Sequence, residues 1–224
     1  YNGIRTRIDT DATHLGAFAR YRCSGFRITG DLAYSFTDND ARRTVPTGLG
    51  DSHMKGSFDQ NIFGGGLELA YDWSPASDPA TVLTPFLAAR YSHLEQDGFT
   101  EKGDLALQMD GTNADSFGTS LGLAAARDFA LRENLILTPR LSAAWFHQWA
   151  DTTVSTDSNF TSSPVNFMTR SVKEDRDALQ LGVGLDLLIK QSSGWDLGLK
   201  LGYNADLRES SNDQAVCAGF EVKF

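Results

Sequence analysis

Gln214-Ala215-Val216-Cys217-Ala218-Gly219-Phe220-Glu221-Val222-Lys223-Phe224, the last eleven residues of the sequence, decide how the rest is read. Successive side chains of a strand point to opposite faces. Val216, Ala218, Phe220, Val222 and Phe224 therefore share one face, and Ala215, Cys217, Gly219, Glu221 and Lys223 share the other. Both charges lie on the second face, so that face meets water and the first meets an apolar phase. This pattern predicts an all-β fold, an antiparallel transmembrane β-barrel with lipid outside and a polar lumen inside.

The same period of two recurs along the chain. Phe26, Ile28, Leu32, Tyr34 and Phe36 oppose Arg27, Thr29, Asp31, Ser35 and Thr37. Phe63, Leu67, Leu69, Tyr71 and Trp73 oppose Glu68 and Asp72, and Leu83, Leu87, Ala89 and Tyr91 oppose Thr84, Arg90 and Ser92. Segments 135–148, 177–190 and 194–206 repeat the pattern, and 12–22 and 116–129 carry weaker versions. Each approaches the roughly 9–11 residues that a tilted membrane strand needs. Aromatics stand near the ends of the apolar faces: Tyr21, Phe26, Phe36, Trp73, Trp145, Trp195 and Phe224 are the expected interfacial girdle. The opposite faces carry Arg20, Arg22, Arg27, Asp31, Glu68, Arg90, Arg140, Asp186, Lys200 and Asp206, the pore-lining candidates. Burying these in a soluble sandwich core would be costly. Arg127 shares the apolar face near one strand end, where its head can snorkel to the interface.

Composition sets the outer bounds. The 224 residues carry a net charge of −9, which opposes binding to nucleic acid. No apolar run approaches the roughly 20 residues of a membrane helix. Acidic clusters such as Asp38-Asn39-Asp40 and Lys173-Glu174-Asp175-Arg176-Asp177 read as solvated loops. Cys23 and Cys217 have neither metal nor redox spacing and read as small packing residues at opposite ends of the barrel. His14 and His53 fall in expected loops, whereas His93 and His147 sit on the apolar parity near strand tops. We expect no catalytic group, no metal site and no cofactor.

Connection lengths give an independent signal. The short ones are 23–25, 74–81, 130–134 and 191–194. The long ones are 38–60, 95–115 and 149–176, and 207–213 is a hairpin on the long side. Outer-membrane barrels have short periplasmic turns and long outer loops, which puts the C-terminus in the periplasm. Tyr1–Ile8 reads as a stub strand followed by a polar turn at Asp9–Thr13.

Four stretches, in this order, resemble the C-terminal β-domain of autotransporters, the translocator barrel of type V secretion. They are Leu83-Thr84-Pro85-Phe86-Leu87-Ala88-Ala89-Arg90-Tyr91-Ser92-His93-Leu94-Glu95-Gln96-Asp97-Gly98-Phe99-Thr100-Glu101, Leu137-Thr138-Pro139-Arg140 with Trp145-Phe146-His147, Arg176-Asp177-Ala178-Leu179-Gln180-Leu181-Gly182-Val183-Gly184-Leu185, and Gly219-Phe220-Glu221-Val222-Lys223-Phe224. The resemblance implies a twelve-stranded family barrel, of which residues 1–224 cover about strands 3–12 and lack the first two strands, the pore helix and the passenger. It implies a non-enzymatic anchor in the cell outer membrane that supports export and surface display of a covalently attached upstream passenger. The implied partners are outer-membrane lipid and the barrel-assembly machinery, with Gly219, Phe220, Val222 and Phe224 matching the family's assembly signal. Two other readings stay open: an adhesin or porin-like barrel acting through its long outer loops, and an outer-membrane rim protease.

Overall fold

The computed structural model describes residues 3–48, 50–163, 165–191 and 194–223. Its strands are β1 (Arg5–Cys23), β2 (Phe26–Thr47), β3 (Gly50–Tyr71), β4 (Thr81–Gln96), β5 (Phe99–Thr100), β6 (Leu107–Met109), β7 (Thr112–Arg127), β8 (Phe129–Arg132), β9 (Leu135–Gln148), β10 (Ser155–Phe160), β11 (Asn166–Arg170), β12 (Asp177–Lys190), β13 (Asp196–Leu207) and β14 (Asn212–Lys223). Nine of them form one curled antiparallel wall in the order β1-β2-β3-β4-β7-β9-β12-β13-β14, with β8 folded onto β9. A second sheet, β11-β10-β6-β5, stands beyond the outer ends of β4, β7, β9 and β12. Among the described residues β1 and β14 do not pair with each other, so each leaves one edge of the wall open.

The wall is apolar on the outside. Met54 is the one large side chain among the described residues that is almost wholly buried, at 1% exposure. Leu141 and Leu201, in the middle of the wall, are each 60% exposed, and the outward leucines, valines and aromatics of every wall strand join them. So continuous an apolar surface is stable only against another apolar phase. A hydrocarbon bilayer supplies that phase, and between the two open edges the backbone polar groups are satisfied within the ladders, as lipid requires.

Several expectations change beyond the membrane-spanning band. No turn interrupts Asp9–Thr13. Its backbone runs straight through β1, pairing in register with Asp40 to Phe36 of β2. That stretch has neither Gly nor Pro to bend it, and the expected stub becomes the outer half of a 19-residue strand. The expected 38–60 loop is likewise a continuous ladder from Asp38↔Asp59 to Thr47↔Gly50. Asp38 and Asp40 are therefore strand residues, and so are His14 and His53, whose ring nitrogens meet Ser35 Oγ at 2.7 Å and Thr44 Oγ1 at 3.0 Å. The other two long connections contain β5, β6, β10 and β11. The expected 130–134 turn is mostly β8, pairing through a bulge with the start of β9. Cys23 and Cys217 are free and exposed instead of packed, because one sits at a turn and the other on the edge strand β14.

On the concave side, small residues make room for two inward aromatics. A Cβ added at Gly122 would lie 2.5 Å from Phe86 Cζ and 2.6 Å from the Cβ of Ala144. Ala144 is buried, and its Cβ moves only with the β9 backbone. Gly122→Ala should therefore cost about 1–3 kcal/mol through overpacking. Gly202→Ala, where a Cβ meets nothing nearer than 3.9 Å, should be neutral. The temperature at which the heat-modifiable band on a semi-native gel is lost compares the two; equal values would refute the close packing.

Candidate functional site

The concave face carries the charged side chains that alternation assigned to a polar wall. A cavity of about 600 Å3 is lined by Glu68, Arg90, Gln180 and Asp206 from four different strands, and so marks the inside of the curl. Arg27 donates to both carboxylate oxygens of Asp72 (3.1 and 3.2 Å) and lies 3.5 Å from Glu68. Thr84 also donates to Asp72 at 2.8 Å. Arg140 pairs with Asp186, and Lys200 with Glu221 at 3.0 Å. Ser120 donates to Gln180, which donates on to Asp206, at 2.8 and 3.0 Å. The Asp31 carboxylate covers Gly66, where a Cβ would sit 2.7 Å from Oδ1. Arg20 reaches Thr29 Oγ1 at 3.3 Å, and Arg22 lies opposite Arg27 in the β1–β2 register.

These ion pairs join neighbouring parts of the wall. Most are partly solvated, so each contributes little to stability. Their effect is chemical: they make that part of the face wet and hydrogen-bonding. Phe86 and Phe146, to which alternation had given no face, also line this cavity. Strand parity alone could have placed them, each lying between two outward residues.

At the outer end, the outward face carries one arrangement twice. Tyr91 donates to Asp115 at 2.6 Å, and His93 Nδ1 lies 2.9 Å from the same oxygen. Trp145 Nε1 donates to Asp177 at 2.8 Å, and His147 Nδ1 lies 2.8 Å away. Leu83-Thr84-Pro85 and Leu137-Thr138-Pro139 begin the two strands at matching positions, so the β4–β7 and β9–β12 hairpins repeat one design. His93 and His147 are thus held by carboxylates at the wall's outer margin, beside ring systems that suit a membrane interface. The six described girdle aromatics, Tyr21, Phe26, Phe36, Trp73, Trp145 and Trp195, are all at least 36% exposed. Arg127 lies near the opposite end, 3.2 Å from Asp78 and over the ring of Phe129.

Beyond the membrane band, the second sheet docks on the wall through Arg43 and Glu101. The guanidinium donates to both carboxylate oxygens, at 3.0 and 2.5 Å, and to the carbonyl of Leu105 at 2.8 Å. Leu107 N–H donates to Glu101 at 2.9 Å. Phe58 and Phe99 stack beside them, 4.8 Å between centroids. On the far side, the amide and hydroxyl of Ser210 donate to Asp175 at 2.6 and 2.7 Å. The hydroxyl leads in holding that carboxyl below its ordinary pKa, with the Arg208 charge adding to it. On the outward face of β3, the neighbouring Asp38 charge raises Asp59.

The residues matched to an assembly signal lie on the edge strand β14. Phe220 is 80% exposed and outward, and Val222 is outward on the same face. A Cβ added at Gly219 would meet nothing within 4 Å. Phe224 lies outside the described residues.

Comparison with known proteins gives a consistent answer. The family described as autotransporter β-domain matches residues 1–208. Two curated relatives, both named Esterase EstA, from Pseudomonas aeruginosa and Pseudomonas putida, are each 25% identical over 211 residues. The match covers 93% of this chain and 32% of each relative, so the chain spans about a third of their length. Among solved structures, the translocator domain of the autotransporter NalP from Neisseria meningitidis superposes with a TM-score of 0.67 at 18% identity. That match covers 98% of this chain and 68% of the other.

Proposed function

From the premise that this chain belongs to the autotransporter β-domain family and forms an outer-membrane translocator barrel, we propose that its concave face is the conduit wall for a covalently linked passenger. Residues 1–224 act as anchor and passage and not as an enzyme. The esterase named in the two relatives is a property of those proteins. The observation that carries the reading is the pairing of an exposed apolar outer face with a concave face of neutralised ion pairs. A threading chain must not adhere. Where the wall's charges are matched in sign, as at Arg27, Arg140 and Lys200, they offer it no fixed opposite charge.

The ten charged pore-lining residues serve that wall, and the exposed girdle aromatics set its height in the bilayer. The open edges of β1 and β14 are the ones that a closed barrel must pair, since lipid does not satisfy an unpaired edge. The β14 edge, with Gly219, Phe220 and Val222, is the segment on which the barrel-assembly machinery would act by strand addition.

Narrowing the lumen tests the proposal. In the full-length precursor, Gly184→Trp with Gly202→Trp places two indoles on the concave face, where Gly184 and Gly202 line one cavity. Surface display of the passenger should fall at least about tenfold while the heat-modifiable barrel band persists. Undiminished display with both indoles in place would overturn the conduit. Deleting residues 149–176 separates this reading from an adhesin, because display should survive that deletion.

A further inference from the structure

A row of cations crosses the outward face of the wall above the membrane band. The β1–β2 register sets Arg7 opposite Arg42, the β2–β3 register sets Arg42 opposite Lys55, and an isolated bridge sets Lys55 opposite Lys102. The last two backbones exchange hydrogen bonds of 3.1 and 2.7 Å. Arg42 keeps the parity of Ile28, Leu32 and Phe36 along an unbroken ladder, and Lys55 keeps that of Phe63, Leu67 and Leu69. Both therefore point away from the lumen. Arg7 is neutralised by Asp9 at 2.8 Å. Arg42, Lys55 and Lys102 are exposed, and among the described residues no carboxylate lies within ion-pair distance of any of them. With Asp40 on the membrane side of Arg42 and the hydroxyls of Ser57 and Thr100, these three line a shallow cavity of about 380 Å3.

Like charges directly opposite one another on neighbouring strands destabilise a sheet. Three unneutralised cations in a row, in a chain whose net charge is −9, are thus a local exception that a bound polyanion would relieve. Arg42 stands six residues beyond the outer aromatic Phe36. At about 3.3 Å per residue and a tilt near 40°, that is roughly 15 Å above the girdle. Acyl chains do not reach that height, but sugars of an outer-leaflet glycolipid do. Between the row and the girdle lie Asp9, Asp11, Asp38, Asp40 and Asp59, which repel phosphates nearer the acyl boundary. The charge pattern thus selects phosphates on the outer sugars.

We propose that Arg42, Lys55 and Lys102 form a docking site for the phosphorylated saccharide of an outer-leaflet glycolipid, which fixes the rotational setting of the β2–β3 hairpin in the membrane. Guanidinium and ammonium donors make charge-assisted hydrogen bonds to phosphate oxygens, and Ser57 and Thr100 complete the cradle. The proposal rests on the outer-membrane reading but not on passage of a passenger.

Binding of purified barrel in mixed micelles to phosphorylated lipopolysaccharide, to the same lipid after phosphatase treatment, and to inorganic phosphate tests it without any display readout. Arg42→Gln/Lys55→Gln/Lys102→Gln should weaken binding to the phosphorylated lipid by about a hundredfold, roughly fivefold per cation, and the loss should shrink at high salt. Arg132→Gln/Lys173→Gln/Lys190→Gln removes the same charge elsewhere and should leave affinity within about twofold. The heat-modifiable band certifies folding of both. Equal losses in the two triple variants, unchanged binding after dephosphorylation, or inorganic phosphate binding as tightly as the lipid would each overturn the proposal. Failure of the conduit test, with this binding intact, would leave it standing.

Discussion

Replacing Glu101 with alanine is expected to release the outer sheet from the wall while leaving the membrane-spanning ladder intact. The Glu101 side chain is 4% exposed and that of Arg43 14%, so the pair is held out of water. Removing the carboxylate leaves a buried guanidinium with only the Leu105 carbonyl as acceptor and orphans the Leu107 amide. Breaking a buried pair in this way costs about 3–5 kcal/mol. The loss falls locally, because few other contacts tie this segment to β3, among them the Phe58–Phe99 stack, the Lys55–Lys102 bridge and the Asp97 amide donating to the Asp59 carbonyl at 3.0 Å. Hydrogen exchange and protease cleavage within 97–111 should rise by two or more orders of magnitude, with the barrel's thermal transition unmoved. The double variant Arg43→Met/Glu101→Leu removes both charges and should restore most of the protection, because a well-packed apolar pair replaces a buried ion pair at little cost. Unchanged protection in Glu101→Ala would mean that the sheet is held by its backbone ladder alone.

That pair also marks where the sequence stops being legible. Alternation records an asymmetry of surroundings, lipid on one side and water on the other. Between Phe26 and Phe36, or Leu179 and Ile189, the asymmetry exists and alternation shows it. Past Phe36 the strands continue into water on the outward side. Asp38, Asp40 and Arg42 then stand where Ile28, Leu32 and Tyr34 stood, and the period fades although the ladder does not. Extended polar strand and solvated loop share the same composition, so 38–60 read as a loop. The pairing of β6 with β10 joins segments about fifty residues apart through only three residue pairs, too few to leave a pattern. The concave charges were legible as a face, but their partners were not. Arg27 with Asp72, and Lys200 with Glu221, depend on strand register. Register follows from the whole set of turns and not from any one segment.

The sharpest expected contrast is between two arginines at one height in the wall. Val183 lies on the outward face of β12 between Leu141 of β9 and Tyr203 of β13, and is 53% exposed. It sits near the middle of a strand of 14 residues. Val183→Arg should cost about 2–4 kcal/mol, the depth-dependent penalty for a cation on the lipid face near the midplane. Asn204 follows Tyr203 and points the other way, into the cavity that Gln180 and Asp206 also line. Asn204→Arg adds the same side chain at the same height, but into water and beside a carboxylate, and should cost less than about 0.5 kcal/mol. Denaturant midpoints in lipid vesicles measure both. Midpoints that coincide would mean that the convex face does not meet hydrocarbon, and the outward leucines would then need another cover. The predicted gap reports mainly the membrane's contribution, since both variants add one cation at the same height and the span of β-propensities, about 1 kcal/mol, is smaller than the expected penalty for a cation facing lipid.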